Sequence, residues 1–465
     1  MSDPDRFVSY WVDHTPSPGY AALDGDVTVD VAVVGAGIVG ITAGYLLKQE
    51  GLKVAVIDRR QIARGVTGYT TAKVTSSHGL IYSQLMSSFG EEGARTYGRA
   101  NEAGKEKIAE LVDELSIDCD LERTDNYVYA EDESSLPEIH REVEACKRVG
   151  LPAGFTTDTE LPFPVAGALR FTNQAQFDPR KYLMPLAAEI HGDGSYVFED
   201  TVVTGVDEDT PCVVRTEDGT VRASDVIVAT HMPILDRGLF FTKVHPYRSY
   251  AIAGPLDGTA LKGMYISTGG STRSLRSITD GDGNPLLLVG GEGHKTGTVE
   301  DTGSHYERLE RWAEERFGLA TPTYRWATQD NVSVDKVPYV GRLTRGSEHV
   351  FTATGFGKWG MTNGTASAMI LTDHIVGRPN EWAPLFDSKR IKPFAAGKRF
   401  IQENAEVAGH FVTDRLAHRS NPRCTHLGCV LRKNRAEGTW DCPCHGSRFD
   451  ADGNVIQGPA ISGLA

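Results

Sequence analysis

The feature that most constrains this chain is a glycine-punctuated stretch near its start. Val29-Asp-Val-Ala-Val-Val-Gly-Ala-Gly-Ile-Val-Gly40 is followed, after a helical run, by Lys53-Val-Ala-Val-Ile-Asp58. Strands buried on both faces read as continuous apolar runs, so two of them around a helix predict a βαβ unit. Gly35 permits the tight turn, Gly37 lets the backbone approach a pyrophosphate, and Gly40 lets the helix pack on the strand. Asp58 lies about 20 residues on, where a carboxylate accepts the hydroxyls of an adenosine ribose. The helix N-terminus offers free N–H groups and partial positive charge to the phosphates. A glycine-rich turn without a nucleotide is the plain alternative, and the presence of every surrounding part argues against it.

At 465 residues the chain has room for two or three domains with their own cores. Its formal net charge of −14 argues against nucleic acid or an anionic membrane as the main partner. No run of about 18 apolar residues is present to span a bilayer. The opening Met1-Ser-Asp-Pro-Asp-Arg lacks the basic and apolar regions of a signal peptide, so the expectation is a cytoplasmic protein.

Residues 1–26 are expected to form an extended arm. The loop Ala63–His78, of small and hydroxylated residues with one lysine, follows the ribose-binding strand and is expected to wrap a pyrophosphate or a flavin ring, Lys73 facing the ring's polar edge. Amphipathic helices follow to about residue 150, interrupted by a strand at 127–130. Asp178 and Pro179 supply an N-cap and a first helical position. One strand each is expected over Val197–Val206 and Val221–Ala229, both returning to the nucleotide unit. Residues 240–325 alternate strands with aromatic and arginine residues, suited to a sheet that roofs a ring. His349–Thr362 repeats the glycine spacing at Gly355, Gly357 and Gly360. No second strand ending in an acid follows it, so it reads as a strand, loop and helix closing on the first cofactor, with the helix N-terminus near Thr362 favouring negative charge on it. A helix over Ala396–Val412 is expected in the connector.

Cysteines are unevenly placed. Cys119, Cys146 and Cys212 are scattered, whereas Cys424-Thr-His426-Leu-Gly-Cys429 and Cys442-Pro-Cys444-His445-Gly-Ser447 are crowded together. In a chain of this kind such a cluster suggests a metal site. Two thiolates and two imidazoles suit tetrahedral zinc, and equally a [2Fe–2S] centre with two cysteines on one iron and two histidines on the other.

These two boxes resemble those of a Rieske protein of the disulfide-containing kind. The resemblance implies Cys424 and Cys442 on one iron, His426 and His445 on the other, and a disulfide between Cys429 and Cys444. Gly458-Pro-Ala460 resembles the proline loop over the cluster. Ser447 matches a position that hydrogen-bonds a bridging sulfide, and Phe449 stands where a tyrosine often does. Rieske domains usually carry several strands before the first box and another after the proline loop. Here those base strands are either lost, or the cluster docks directly on the preceding part.

Over residues 29–376 the chain resembles the D-amino-acid oxidase-like (glycine/sarcosine oxidase) family of FAD proteins. Gly35, Gly37, Gly40 and Asp58, the 70–73 loop, Asp178-Pro179, Val-Ala-Thr230, Asp335-Lys-Val-Pro338 and the 354–364 loop carry the match. The resemblance implies an α/β fold: a Rossmann-like FAD-binding domain (27–79, 185–240 and 326–376) with an inserted α+β substrate domain (80–184 and 241–325). A connector (377–414) and a small β-type cluster-binding segment (415–465) complete it. The implied FAD contacts are Gly35, Gly37, Ile38, Val39, Gly40, Asp58, Arg59, Arg60, Thr70, Thr71, Ala72, Lys73, Val203 and Thr230, with Gly355, Gly357, Lys358, Trp359, Gly360, Met361 and Thr362. The implied chemistry is hydride transfer from a C–N bond of an amine-like small molecule to flavin. Lys73, Tyr250, Arg276, His294 and Trp359 are the candidates for the substrate pocket. Thr328–Val334 holds no arginine where amino-acid-oxidising relatives often use one for the substrate carboxylate.

The expected use passes electrons from flavin through the cluster to a soluble acceptor. Three rivals remain from sequence: O2 reoxidises the flavin beside a vestigial Rieske segment, yielding peroxide; electrons run backwards from a nicotinamide to the cluster, against which the lack of a second nucleotide-binding domain argues; or the pair acts as a redox sensor or carrier without turnover.

Overall fold

The computed structural model describes residues 7–256, 258–390, 401–407, 409 and 420–464. Its first layer is a sheet ordered Tyr339–Arg342, Val350–Thr354, Thr220–Val228, Val27–Val34, Val54–Ile57 and Tyr196–Phe198. The pairs from Val350–Thr354 to Tyr196–Phe198 are parallel. Val31 and Val33 pack on the side of the helix Ile38–Gln49, while Ala32 and Val34 pack on the opposite face. Burial on both sides is why the strand carries no polar alternation. The glycine turn is sterically obligatory. Gly35 has φ +108°, and a Cβ on Gly40 would lie 1.8 Å from the Gly35 carbonyl oxygen. The helix Gly360–Ile375, which follows the second glycine loop, packs against Ile38–Gln49 on the same layer.

The second layer is a larger sheet ordered Tyr324–Ser333, Val244–Pro255, Pro285–Lys295, Arg273–Thr279, Met264–Ser267, Glu122–Ala130, Gly167–Gln176 and Lys73–Val74. Its membership corrects the expected boundaries. Tyr324–Ser333 pairs along its length with Val244–Pro255, so residues 326–333 belong to the roofing sheet rather than to the nucleotide sheet. Lys73–Val74 also joins this sheet, against Ala175 and Gln176. The expected break at residue 184 cuts through one helix, Pro179–Ile190, which packs as a unit on Ile38–Gln49. That helix begins as read: the Asp178 carboxylate accepts from the Arg180 and Lys181 amides at 2.8 and 3.0 Å.

Two other expectations change. Val197–Val206 is two strands, Tyr196–Phe198 at the sheet edge and Val203–Asp207 in an antiparallel flap. The N-terminal arm holds a short helix, Tyr10–His14, capped by Ser9. Trp11 Nε1 donates to the Thr70 carbonyl at 2.8 Å and Tyr10 OH to the Thr279 carbonyl at 3.0 Å, so this helix wedges the cofactor loop against the roof. The expected helix Ala396–Val412 lies mostly outside the described residues, of which 401–407 are helical.

A third, four-stranded sheet comprises Arg432–Asn434, Thr439–Asp441, Arg448–Phe449 and Val455–Gln457. Among the described residues no helix is long and apolar enough to cross a membrane.

Because the Gly40 contact is backbone on backbone, no rotamer change relieves it. Gly40→Ala is expected to yield protein with a lowered Tm and without flavin absorption. Gly281→Ala, where a Cβ meets nothing within 4 Å, leaves both unchanged.

Candidate functional site

A cavity of about 750 Å³ runs from the glycine turn, between the two large sheets, to the small C-terminal sheet. Its first end is lined by residues 35–39, Asp58, Arg59, Arg60, Val203 and Thr230. Asp58 is fixed by two backbone donors, the Ala36 amide at 2.7 Å and the Arg60 amide at 2.9 Å. Burial nevertheless raises its carboxyl above the ordinary range. The helix Ile38–Gln49 starts at Gly37 with no side-chain cap, and three cationic side chains, Arg59, Arg60 and Arg64, surround this end. Donors and positive charge on one side and a fixed carboxylate on the other match a dinucleotide's pyrophosphate and ribose.

The middle of the cavity is walled by Thr70, Thr71 and Lys73, by Phe356 and residues 358–361, and by Ser249 and Tyr250 of the roof. Lys73 donates from Nζ to the Tyr265 carbonyl at 2.5 Å. Burial, reinforced by the nearby Arg276 charge, drives its ammonium well below the ordinary value. His78 also lines the wall, stacked on Trp359 at 5.0 Å between centroids. Burial pushes it down to about 3, and both its nitrogens are engaged, Nδ1 with Tyr97 OH at 2.7 Å and Nε2 with the Thr75 carbonyl at 2.8 Å.

Several expected contacts stand behind this wall. Gly40, Ala72, Gly355, Gly357 and Thr362 do not line it. Gly40 is used for packing, and the Thr362 hydroxyl donates to the Thr75 carbonyl at 2.9 Å. Arg276 is not in the pocket either. Its Nη1 donates to the carbonyls of Thr71, Ala72 and Phe177, so it braces the cofactor loop from outside, and burial lowers it to about 10. His294 supports Tyr250 from behind. Its Nδ1 lies 2.8 Å from the Lys295 carbonyl and must donate there, so Nε2 accepts from Tyr250 OH at 2.8 Å. Burial holds His294 at about 4, neutral.

The roof contributes residues that the sequence reading passed over: Thr328, Gln329 and Asp330. Burial pushes the Asp330 carboxyl up to about 6 against the pull of Lys358. Lys358 reaches into open cavity space yet lies deep in the protein, so burial lowers its ammonium, opposed by Asp330. The signal available was four successive polar residues, Thr328–Asn331, inside a strand otherwise suited to burial.

At the far end the two Cys–His boxes come together. Cys429 and Cys444 form a disulfide. Their sulfurs and that of Cys442 lie within 4.8 Å of one another, but the disulfide removes two of the three as ligands. Cys442 is instead paired with Cys424, whose thiol is held down to about 6 by that hydrogen bond and by Ser447. The His426 and His445 rings are 5.1 Å apart and nearly perpendicular. Both Nδ1 atoms are buried with no hydrogen-bond partner among the described residues. Two thiols and two orphaned imidazole nitrogens brought together by tied loops are the donor set of a histidine-ligated [2Fe–2S] centre. The Ser447 hydroxyl accepts from the Ala460 amide at 3.1 Å, anchoring the proline loop.

This small sheet is docked on the roof. Glu437 bridges two guanidiniums, those of Arg248 in the roof and Arg448 in its own sheet, the latter at 2.8 Å. Arg448 also donates to Asp441 at 2.9 Å. Burial works against the Glu437 charge, but Arg248 and Arg448 outweigh it and hold the carboxyl low. His426 Nε2 meets Asp236 at 2.7 Å, and Phe241 packs on both cluster histidines. Glu437, Thr439, Arg448, Gln457, Gly458 and Ile461 line the same cavity as the glycine turn.

Comparisons with known proteins agree with this layout. Residues 30–374 match the family described as FAD dependent oxidoreductase, and residues 382–465 match the Rieske [2Fe-2S] domain. YhfW of Bacillus subtilis, named as a Rieske 2Fe-2S iron-sulfur protein, is 34% identical over 98% of this chain and 96% of its own. Gamma-glutamylputrescine oxidoreductase of Escherichia coli is 28% identical over 47% of this chain and 52% of its own. Glycine oxidase from Geobacillus kaustophilus superposes with a TM-score of 0.67 at 18% identity, covering 78% of this chain and 99% of its own.

Removing one member of a buried charge set leaves its partners uncompensated, at a cost of about 3–5 kcal/mol. Glu437→Ala is therefore expected to loosen the small sheet, seen as faster hydrogen exchange of the amides of Arg432–Asn434, Thr439–Asp441 and Arg448–Phe449, while flavin absorption is retained.

Proposed function

The chain belongs to the FAD-dependent oxidoreductase family and carries a Rieske [2Fe-2S] domain, and from that premise we propose that it oxidises the C–N bond of an amino-acid-like amine and passes the electrons through the iron–sulfur centre to a soluble one-electron acceptor. The observation that carries this reading is the shared cavity: residues of the glycine turn, the roof and the cluster-binding sheet wall one space. A vestigial segment has no reason to contribute a buried charge bridge to that wall.

FAD supplies, when bound, the electrophilic ring that takes a hydride, and the cluster supplies one-electron chemistry at iron. The remaining work falls to side chains. Hydride loss from an amine requires the neutral amine, and amines arrive protonated at neutral pH. Asp330, buried but charged above about 6, is placed to attract the ammonium and accept its proton. Lys358 opposite supplies the cation that a substrate carboxylate needs, which replaces the arginine missing from Thr328–Val334. Tyr250, whose proton is committed to His294, presents an oxygen that accepts from the substrate N–H. His78, neutral and held at both nitrogens, fixes the Trp359 face that borders the substrate. The substrate C–H leaves as hydride, the N–H proton passes by way of Asp330 to solvent, and a C=N bond remains. Two acceptor molecules are reduced per substrate. The carboxylated and amine substrates named for its relatives support this class.

Anaerobic bleaching of the flavin tests it, with glycine, L-proline, γ-glutamylputrescine and putrescine as probes. Compounds bearing both an amine and a carboxylate are expected to bleach, and putrescine is not. Bleaching by putrescine alone, or peroxide formed one-for-one with substrate in air without cluster reduction, contradicts the reading. The rate should rise as pH increases through about 6, because the proton acceptor is the ionised Asp330. Asp330→Asn is expected to lower the rate by about 10²–10⁴-fold, the usual worth of a general base, and to remove that inflection. Lys358→Met should raise the half-saturating substrate concentration about tenfold or more, a loss of about 1.4 kcal/mol per decade, with less effect on the limiting rate.

A further inference from the structure

Gln329 reaches the cluster boxes from the cavity wall. It lies on the roof strand Tyr324–Ser333 and lines the cavity, yet is only 2% exposed overall. Its Nε2 donates to the Gly446 carbonyl at 2.8 Å. That carbonyl is an acceptor only, so the amide must present its NH2 group there. Gly446 follows His445 directly, and its own amide donates to the Cys442 carbonyl at 3.1 Å. Two ligand positions of the cluster are thus one or two backbone steps from the Gln329 side chain. The approach is possible only at glycine. Gly446 has φ +80°, and a Cβ there would lie 2.6 Å from Gln329 Nε2 and 2.6 Å from Pro246 Cβ.

Behind the same strand stands His231, on the cavity wall immediately after the Val-Ala-Thr230 strand. Its ring hydrogen-bonds the Gln329 backbone, and its Nε2 is buried without a partner among the described residues. The Gln329 side-chain amide oxygen is likewise buried and unpartnered among the described residues. Polar atoms left unsatisfied in this way cost free energy unless a bound group completes them. Both sit between the nucleotide-binding sheet and the cluster boxes.

We infer that Gln329 is the positioning residue that joins the two redox centres: its side chain clamps the His445 loop against the cavity wall and provides the hydrogen-bonded path along which electrons reach the cluster. The inference rests on the electron-transfer reading above. With both cofactors bound, His426 and His445 would hold the iron that takes one electron from reduced flavin, ferric becoming ferrous; a one-electron acceptor protein would reoxidise that iron before the second electron followed, and the flavin's protons would go to solvent. A bonded bridge matters because tunnelling falls off more steeply across a gap than along bonds and hydrogen bonds.

The test uses the flavin- and iron-loaded full chain, reduced in part by a flash of photo-generated 5-deazaflavin radical, with no substrate required. Wild-type protein should show internal redistribution of the electron between flavin and cluster absorption bands. Gln329→Met keeps the volume but not the hydrogen bond. It should slow that redistribution by about tenfold or more, equivalent to about 1.4 kcal/mol of barrier, with unaltered iron content and g-values in the EPR spectrum. Hydrogen exchange of the 442–447 amides should rise only locally, at Gly446 and its neighbours, and the Glu437 seam should stay protected. Should the Met variant lose its cluster, Gln329→Asn, whose amide is too short to reach Gly446, carries the same expectation. An unchanged rate in either loaded variant overturns the inference while leaving the electron-transfer reading intact. No internal redistribution in the wild type overturns both. A slowed rate accompanied by opening of the whole seam would assign Gln329 to docking alone and overturn the path.

Discussion

Everything distinctive about this chain depends on one carboxylate held between two guanidiniums. Glu437 meets Arg248 of the roof and Arg448 of its own small sheet, all three almost without solvent contact. Such a set adds little net stability, since desolvating charges costs about what their attraction returns. What it specifies is place. Misplacing the small sheet would strand three charges, so the docked arrangement is strongly preferred over every near alternative. Among the described residues, the small sheet meets the roof through the Glu437–Arg248 pair and through Gln329 on Gly446.

From that placement the character of the cavity follows. One end is a dinucleotide cradle of backbone donors and arginines. Its middle carries one weak acid and one depressed lysine, Asp330 and Lys358, neither of which forms a salt bridge among the described residues. Its far end is the outer surface of a cluster-binding sheet. Buried bases that would otherwise add charge, His78, His231 and His294, are all held neutral by burial. The charged groups left in the middle of the cavity are therefore Asp330 and Lys358.

The parts of this arrangement legible in the sequence are those that local sterics or ligation dictate. A parallel strand, a turn demanding Gly35 and a helix demanding Gly40 leave little freedom, and the two Cys–His boxes are fixed by the number and spacing of ligands. Residues whose role depends on long-range pairing were not legible. Asp330 and Gln329 acquire meaning only because Tyr324–Ser333 pairs with Val244–Pro255 and the small sheet then settles on top. Arg276 and His294 show the converse. An arginine that braces a loop through three carbonyls has the same chemistry in sequence as one that greets a carboxylate, and a histidine behind a tyrosine looks like one in front of it. The whole-chain match to YhfW indicates that the two domains travel as one unit, which composition alone does not reveal.

The most direct test of this account is the concentration dependence of cluster reduction. Freeze-quenched EPR after anaerobic mixing with a reducing amine follows the appearance of the reduced-cluster signal over a wide range of protein concentrations. The account predicts that flavin bleaching precedes the signal and that the signal grows at a rate independent of protein concentration, because the electron moves within one chain. A rate proportional to protein concentration, or a bleached flavin beside a cluster that stays oxidised, would contradict it.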